Sequence, residues 1–578
     1  NWGAENFTTL QAALDAAKDK GGDASIDLLA DVGEQVTATT ANNPITLNLN
    51  GYTLTGKITL TNGQNNNAFT LTDKQAADYK KGSTGGVLTG PGYGIEMGNG
   101  KSSTIHNTLV LTGETLMLKN LSRVVNGNAY IDVTAKDVTF TGNTSGNIWL
   151  EGGYNNIQVD GAVSTQNTGF SIYINGGSSN VTLTNAQIYE NSGTYGGRVY
   201  LNHHDTLIVD GGEYHDNTTT NQNGGVITIG GQNNTVTINS GEFYNNKAVN
   251  GGAVYMGQLS TLTINGGSFH DNTAITNGGA IVACNQTSGN HITTLTITGG
   301  EFYNNTAVNG GAVYMSTGTG LGSFTMTGGE IYENTADNGG ALYIATKAKV
   351  TLSAADGADV GGIIRDNTAS QLASNLYLGG ADSSLTVGEK TLLHGGTIAG
   401  DVLFAQGGTV DLADTKALYT KDIEDAGALV WLKNDATTGE TVRSETAPAQ
   451  TIYTLAPAGE NTGSYAARIG SDKYFSVNQA IKAMEAADAE DAETNTTIHL
   501  LRDQTEDVTI NNTKHSPTLN LNGYTLTGHI TVTDLNKANL TFTLCNAKGE
   551  DDYNPADGGG KLTSESGTLL DTNGQTSK

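Results

Sequence analysis

From about residue 185 to about residue 380, apolar residues fall into short alternating runs that return in the same order. One pass reads Glu242-Phe-Tyr-Asn-Asn246, then Gly251-Gly-Ala-Val-Tyr-Met256, then Thr261-Leu-Thr-Ile264, then Gly266-Gly267. It recurs as Glu301 to Asn305, Gly310 to Met315 and Ser323 to Met326, and again as Glu330 to Asn334, Gly339 to Ile344 and Lys349 to Leu352. An asparagine closes each first run, at Asn191, Asn217, Asn246, Asn272, Asn305, Asn334 and Asn367, with a mean spacing of about 29 residues. Three short strands and three turns cannot bury a core alone, but they make one lap of a three-sided solenoid. The pattern therefore predicts an all-β, right-handed, three-sided parallel β-helix, with each strand paired to its own equivalent in the next coil.

The inward positions follow from the alternation. The second strand carries Val199, Ile227, Val254, Ile281, Val313, Leu342 and Leu376, and two places later Leu201, Ile229, Met256, Ala283, Met315, Ile344 and Leu378. The third strand adds Leu207, Val236, Leu262, Leu295, Phe324, Val350 and Leu385. Weaker matches, such as Ile148-Trp-Leu150 and Ile172-Tyr-Ile174, extend the pattern upstream, so residues 45–412 are expected to form one shaft.

Two segments depart from the repeat and copy one another. Phe7-Thr-Thr-Leu-Gln-Ala-Ala-Leu14 answers Phe475-Ser-Val-Asn-Gln-Ala-Ile481, and residues 46–56 are identical to residues 518–528. Leu10, Ala13, Leu14 and Ala17 have the spacing of an amphipathic helix, a suitable cover for the open end of a solenoid. The expected organisation is a cap over 1–44, the shaft over 45–412, a closing cap and connector over 413–473, and a second cap with the first coils of a truncated second β-helix over 474–578. The chain opens on Asn1 and reads as a piece of a larger secreted protein.

Composition narrows the function classes. With 78 glycines, 6 prolines and 15% charged residues, the chain suits short strands with tight turns rather than helices or disorder. A net charge of -28 argues against nucleic acid and anionic membranes as partners. Cys284 and Cys545 form no framework and no zinc motif. No apolar run is long enough to insert in a membrane.

Two outward rows carry the candidate binding chemistry. One holds Trp149, Tyr173, Tyr200, Tyr255, Tyr314, Tyr343 and Tyr377; the other includes Tyr244, Tyr303 and Tyr332 together with Tyr189, His215, His270 and Arg365. Aromatic rows suit sugar rings and protein hot spots, although stacking within the row is the plainer explanation for any single ring. Glu213, Glu242, Glu301 and Glu330 should share one edge, a solvated row at which calcium is conceivable but which lacks loop-type ligand spacing. No other cofactor or metal is expected. Catalytic candidates are weak: His203, His204, Asp205, Asp210 and Asp216, with Arg198 and His215 nearby. Solvated surface residues are the simpler reading of that set, since no cleft-forming insertion accompanies it.

The motifs also carry a resemblance. Gly-Gly-Ala-aliphatic at Gly251–Val254, Gly278–Ile281, Gly310–Val313 and Gly339–Leu342 alternates with Phe-x-x-Asn at Phe243–Asn246, Phe269–Asn272 and Phe302–Asn305. This pairing resembles the repeat of chlamydial polymorphic outer membrane proteins, and with the cap segment it resembles large wall-attached β-helix proteins of gut Firmicutes. The resemblance implies an extracellular bacterial surface adhesin, and the aromatic rows, with no catalytic cluster beside them, suggest a rigid face for a host glycan or a host extracellular protein, immunoglobulin among the candidates. The alternatives are a β-helical glycoside hydrolase or polysaccharide lyase, and a spacer stalk.

Overall fold

The computed structural model describes residues 5–394 apart from short gaps, the longest being 285–292, and beyond them separate stretches between 402 and 571. The chain is a multi-turn parallel β-solenoid. In each coil a strand such as Ser268–His270 is followed by one such as Ile281–Cys284 and one such as Thr293–Ile297. Each pairs in parallel, and in register, with its counterparts one coil away. The second-strand face is a sheet running from Val36–Thr39 to Val402–Phe404, ended by the antiparallel strands Thr451–Pro457 and Leu429–Asp435. The other two faces merge into one sheet because Thr206–His215 and Thr235–Tyr244 run round the corner between them.

The interior matches the expected rows. Val199, Val254, Val313 and Leu342 are buried, as are Leu201, Met256, Met315 and Ile344 behind them. The first strand contributes Tyr214, Phe243, Phe269 and Phe302, all fully buried and stacked ring on ring at 4.5, 4.6 and 4.7 Å. Strand spacing near 4.8 Å places identical side chains at van der Waals distance, so register alone assembles the stack.

A buried amide ladder turns the corner after the first strand. The Asn272 amide nitrogen donates to Asn305 Oδ1 at 3.0 Å and to the Phe243 carbonyl at 2.8 Å, and its own backbone N–H donates to Asn305 Oδ1 at 3.1 Å. The same pattern links Asn191 through Asn367 and extends upstream to Asn167 and Asn143. The residue before each ladder asparagine adopts a left-handed backbone, for example Asp216, Asn245, Asp271 and Asn304, which makes the bend sharp. Glycine pairs serve the next corner. A Cβ on Gly252 would lie 2.2 Å from the Gly279 carbonyl oxygen, so only glycine lets the coils close there.

Sequence patterning missed a fourth short strand between these corners. Lys247–Asn250 and Thr273–Asn277 pair with each other, and Thr335–Asn338 pairs with Thr368–Leu372. This strand carries a second amide ladder, Asn223–Asn250–Asn277–Asn309–Asn338, with links of 2.8 to 3.1 Å. Asn338 Oδ1 is buried without a hydrogen-bond partner, and the ladder stops there because the next residue in register is Leu372, which has no side-chain amide.

Helix Leu10–Lys18 buries Leu10, Ala13, Leu14 and Ala17, as the spacing predicts. The Glu34 carboxylate accepts the Leu10 N–H at the helix start, and Gln11 bridges to Thr37 on the adjoining strand. The second copy repeats this design. Glu506 accepts from Val477 and Asn478, and Asn478 bridges to Thr509. Ala467, Val477, Ile481, Ile498 and Leu519 belong to a separate hydrophobic cluster, with parallel strands such as Thr497–Leu500 and Thr518–Asn520. Most of the connector expected over 413–473 lies outside the described residues.

Substitution of Asn272 by alanine orphans buried groups on both neighbouring coils, at about 1–3 kcal/mol each. The thermal midpoint should fall well below that of Thr261→Ala on the exposed side of a strand. Equal midpoints would show that the ladder contributes no stability.

Candidate functional site

The catalytic candidates do not converge. His203 and His204 are exposed at a turn, where His203 Nδ1 accepts the Gln232 N–H at 3.0 Å. Asp210 accepts the Asn239 amide at 2.6 Å, at the end of the third strand. Asp216 lies past the next corner, 2.7 Å from His215 Nδ1. The His203–His204 turn, Asp210 and Asp216 thus lie at three separate places on the coil.

Asp205 is a ladder residue. It stands in a row Asn155–Ser179–Asp205–Asn234–Ser260, in which each side chain accepts the backbone N–H of the row member one coil earlier. Its Oδ1 accepts from Ser179 at 2.9 Å and its Oδ2 from the Asn202 N–H at 3.2 Å. Burial pushes its carboxyl up to about 6, and the two backbone donors only partly offset that rise.

The aromatic rows are present, and they stack. Trp149 lies 3.9 Å from Tyr173, which lies 5.1 Å from Tyr200; Tyr314, Tyr343 and Tyr377 follow at 5.5 and 4.3 Å. Between these stretches Tyr255 is half-buried and the register positions Thr228 and Val282 are buried. On the first-strand face, Tyr189, His215, Tyr244, His270, Tyr303 and Tyr332 form an unbroken stack at 4.6 to 5.1 Å, closed by the Arg365 guanidinium 4.9 Å from the Tyr332 ring. Ring faces therefore cover one another, and the rows present edges and phenol hydroxyls to solvent. Burial and Glu301 push the Tyr332 phenol up to about 12, so that hydroxyl stays protonated at neutral pH.

Beside the second stack runs an open groove of about 1010 Å³, floored by Gly241, Gly267, Gly300 and Gly329 and walled by Glu213, Glu242, Glu301 and Glu330. The glutamates pair in register, with Ser268 interrupting them, as their spacing predicts. Arg365 pairs with Glu330 and Asp366 at one end. Among the described residues, no group of three or more His, Cys, Asp or Glu side chains has the arrangement to hold a metal ion.

A denser cluster lies in the upstream half of the second-strand face; of its cations, Arg198 stood only among the weak catalytic candidates and Arg123 was not read from the sequence. Arg123 stacks 3.7 Å from the Trp149 ring and bonds Asn126, while Trp149 Nε1 donates to Glu151 at 2.8 Å. One coil further, Tyr195 stacks on Phe170 at 4.4 Å, and Phe170 packs against Tyr173 and Tyr200. Arg198 lies 5.3 Å from the Phe170 ring. The available signal was a substitution in the repeat: Gly196-Gly197-Arg198-Val199 puts arginine where Ala253, Ala280, Ala312 and Ala341 stand in later coils.

The fold is thus a parallel β-solenoid, a scaffold architecture of the kind used by large β-helical adhesin-like proteins. No protein-family model, no curated protein and no solved structure matches the chain. No helix among the described residues is long and apolar enough to cross a membrane.

The Asp205 environment gives a pH-dependent prediction. Its carboxyl titrates near 6 in the fold against 3.8 in the unfolded chain, so the folded state holds the proton more tightly. Below both values the group is neutral in either state. As pH rises through that window, the fold loses about 3 kcal/mol from this group. Asp205→Asn should therefore raise the thermal midpoint at pH 7.5, with the advantage shrinking toward pH 4. An advantage that is independent of pH would refute the buried carboxylate as its source.

Proposed function

We propose that this chain is an extracellular binding shaft of a bacterial surface protein, an adhesin-like module that displays a rigid, repetitive face to a host glycan or host extracellular protein. The observation that carries the reading is the pair of in-register aromatic stretches on the second-strand face, Trp149–Tyr173–Tyr200 and Tyr314–Tyr343–Tyr377, which stay partly exposed. Ring edges and hydroxyls repeating every 4.8 Å or so form a preorganised surface that loses little side-chain entropy on binding. The motif pairing, which resembles the repeat of chlamydial polymorphic outer membrane proteins and, in combination with the cap segment, wall-attached β-helix proteins of gut Firmicutes, supports a surface location. A long repeating partner, such as an oligosaccharide, fits a long repeating face.

The test is a triple variant, Tyr314, Tyr343 and Tyr377 each to alanine, screened on glycan arrays and against immobilised host proteins, including immunoglobulin. Binding should fall by an order of magnitude or more while circular dichroism stays that of the parent. Undiminished binding by the folded variant removes this row from the interface. A hydrolase or lyase would instead release product from polysaccharide and lose that activity on mutation of Asp210 or Asp216.

A further inference from the structure

Arg198 breaks the rule of its own repeat. Later coils bury an alanine at this place, and Ala253, Ala280, Ala312 and Ala341 are all fully buried. Here a guanidinium is enclosed instead, with 4% of the residue exposed. Its Nε donates to the Tyr195 carbonyl at 3.1 Å, and its Nη1 donates to the Asn223 carbonyl at 2.7 Å and to Thr228 Oγ1 at 3.4 Å. Among the described residues, no carboxylate pairs with it and nothing accepts from Nη2. Enclosing a cation without a counter-charge opposes folding, and burial pulls its pKa down to about 10, so it remains charged at neutral pH. The chain carries 57 acidic residues, yet among the described residues none forms an ion pair with it. Fold stability does not account for such a residue at an alanine site.

The surroundings indicate what would complete it. The turn at Gly196 and Gly197, both left-handed, folds Tyr195 back onto Phe170. Tyr195 is 39% exposed, and Phe170 is the only ring stacked on it among the described residues. Tyr200 borders the same place, its phenol held up by burial. A fixed cation beside an exposed aromatic ring matches a ligand with an anionic group and an apolar ring face on one small frame.

We propose that Arg198, Tyr195, Phe170 and Tyr200 form a subsite for one acidic sugar unit, a pyranose bearing a carboxylate. The carboxylate pairs with Arg198, and the sugar ring packs on Tyr195. The inference rests on the glycan-binding reading above and assigns it a ligand class and a place.

The test titrates the full chain with oligosaccharides ending in sialic or glucuronic acid, and with the same oligosaccharides after reduction of the carboxyl to an alcohol. Carboxyl reduction should weaken binding tenfold or more, and so should Tyr195→Ala with the acidic form. Arg198→Ala restores the alanine of the repeat, so it should keep or raise the thermal midpoint while abolishing the preference for the acidic form. Equal affinity of the parent chain for acidic and reduced forms overturns the subsite but leaves glycan binding standing. No affinity for any oligosaccharide overturns both. An Arg198→Ala chain that loses stability yet keeps the acidic preference shows that the arginine is a structural strut only.

Discussion

The structure depends on one reciprocal contact: a buried asparagine whose hydrogen-bonding groups are met by its own copy one coil away. A corner of a β-solenoid strips water from backbone groups that no strand ladder can pair. The amide of Asn272 meets that demand because it offers a donor to Asn305 and a donor to the Phe243 carbonyl, while its own oxygen accepts from Asn246. No single coil can satisfy such a group. Each lap therefore requires the next in register, which converts a local repeat into one long cooperative body.

The same registry shapes the surface. Identical residues fall 4.8 Å or so apart, so aromatic rows stack on themselves and glutamates line one groove wall. Regularity favours display over enclosure. Rings that cover one another offer edges, and the glutamates of the groove line its wall in a row rather than converging on one point. Specific chemistry must come from coils that deviate. Asp205 deviates within a ladder of asparagine and serine, and its neighbours keep it tied to backbone donors. Arg198 deviates from alanine, and its neighbours leave it short of a counter-charge.

An open end of such a stack would expose both core and unpaired strand. The helix Leu10–Lys18 covers the first coils and is itself fixed by the Glu34 carboxylate. The recurrence of this device at Glu506 and Asn478, over a separate hydrophobic cluster, shows that one capping solution serves two cores in the chain.

Much of this was legible in the sequence, because period and alternation are local signals. The three-strand coil, the inward rows through Val254 and Met256, the ladder from Asn191 to Asn367 and the capping helix follow from spacing alone. The ladder's first members, Asn143 and Asn167, stand in coils of 24 residues rather than about 29; Phe140-Thr-Gly-Asn143 keeps the Phe-x-x-Asn signature, whereas Asn167 follows Ser164 in place of a phenylalanine. The second ladder through Asn250 and Asn277 was overshadowed by the glycines that follow it. Only tertiary structure decided how exposed the aromatic rows are, since stacking depends on rotamers that register permits but does not name. It alone separated Asp205, enclosed among backbone donors, from the exposed His203 and His204 beside it. The same holds for Arg198: its letter shows a charge in an alanine's place, but whether a carboxylate crosses the coil to meet that charge is a fact of three dimensions.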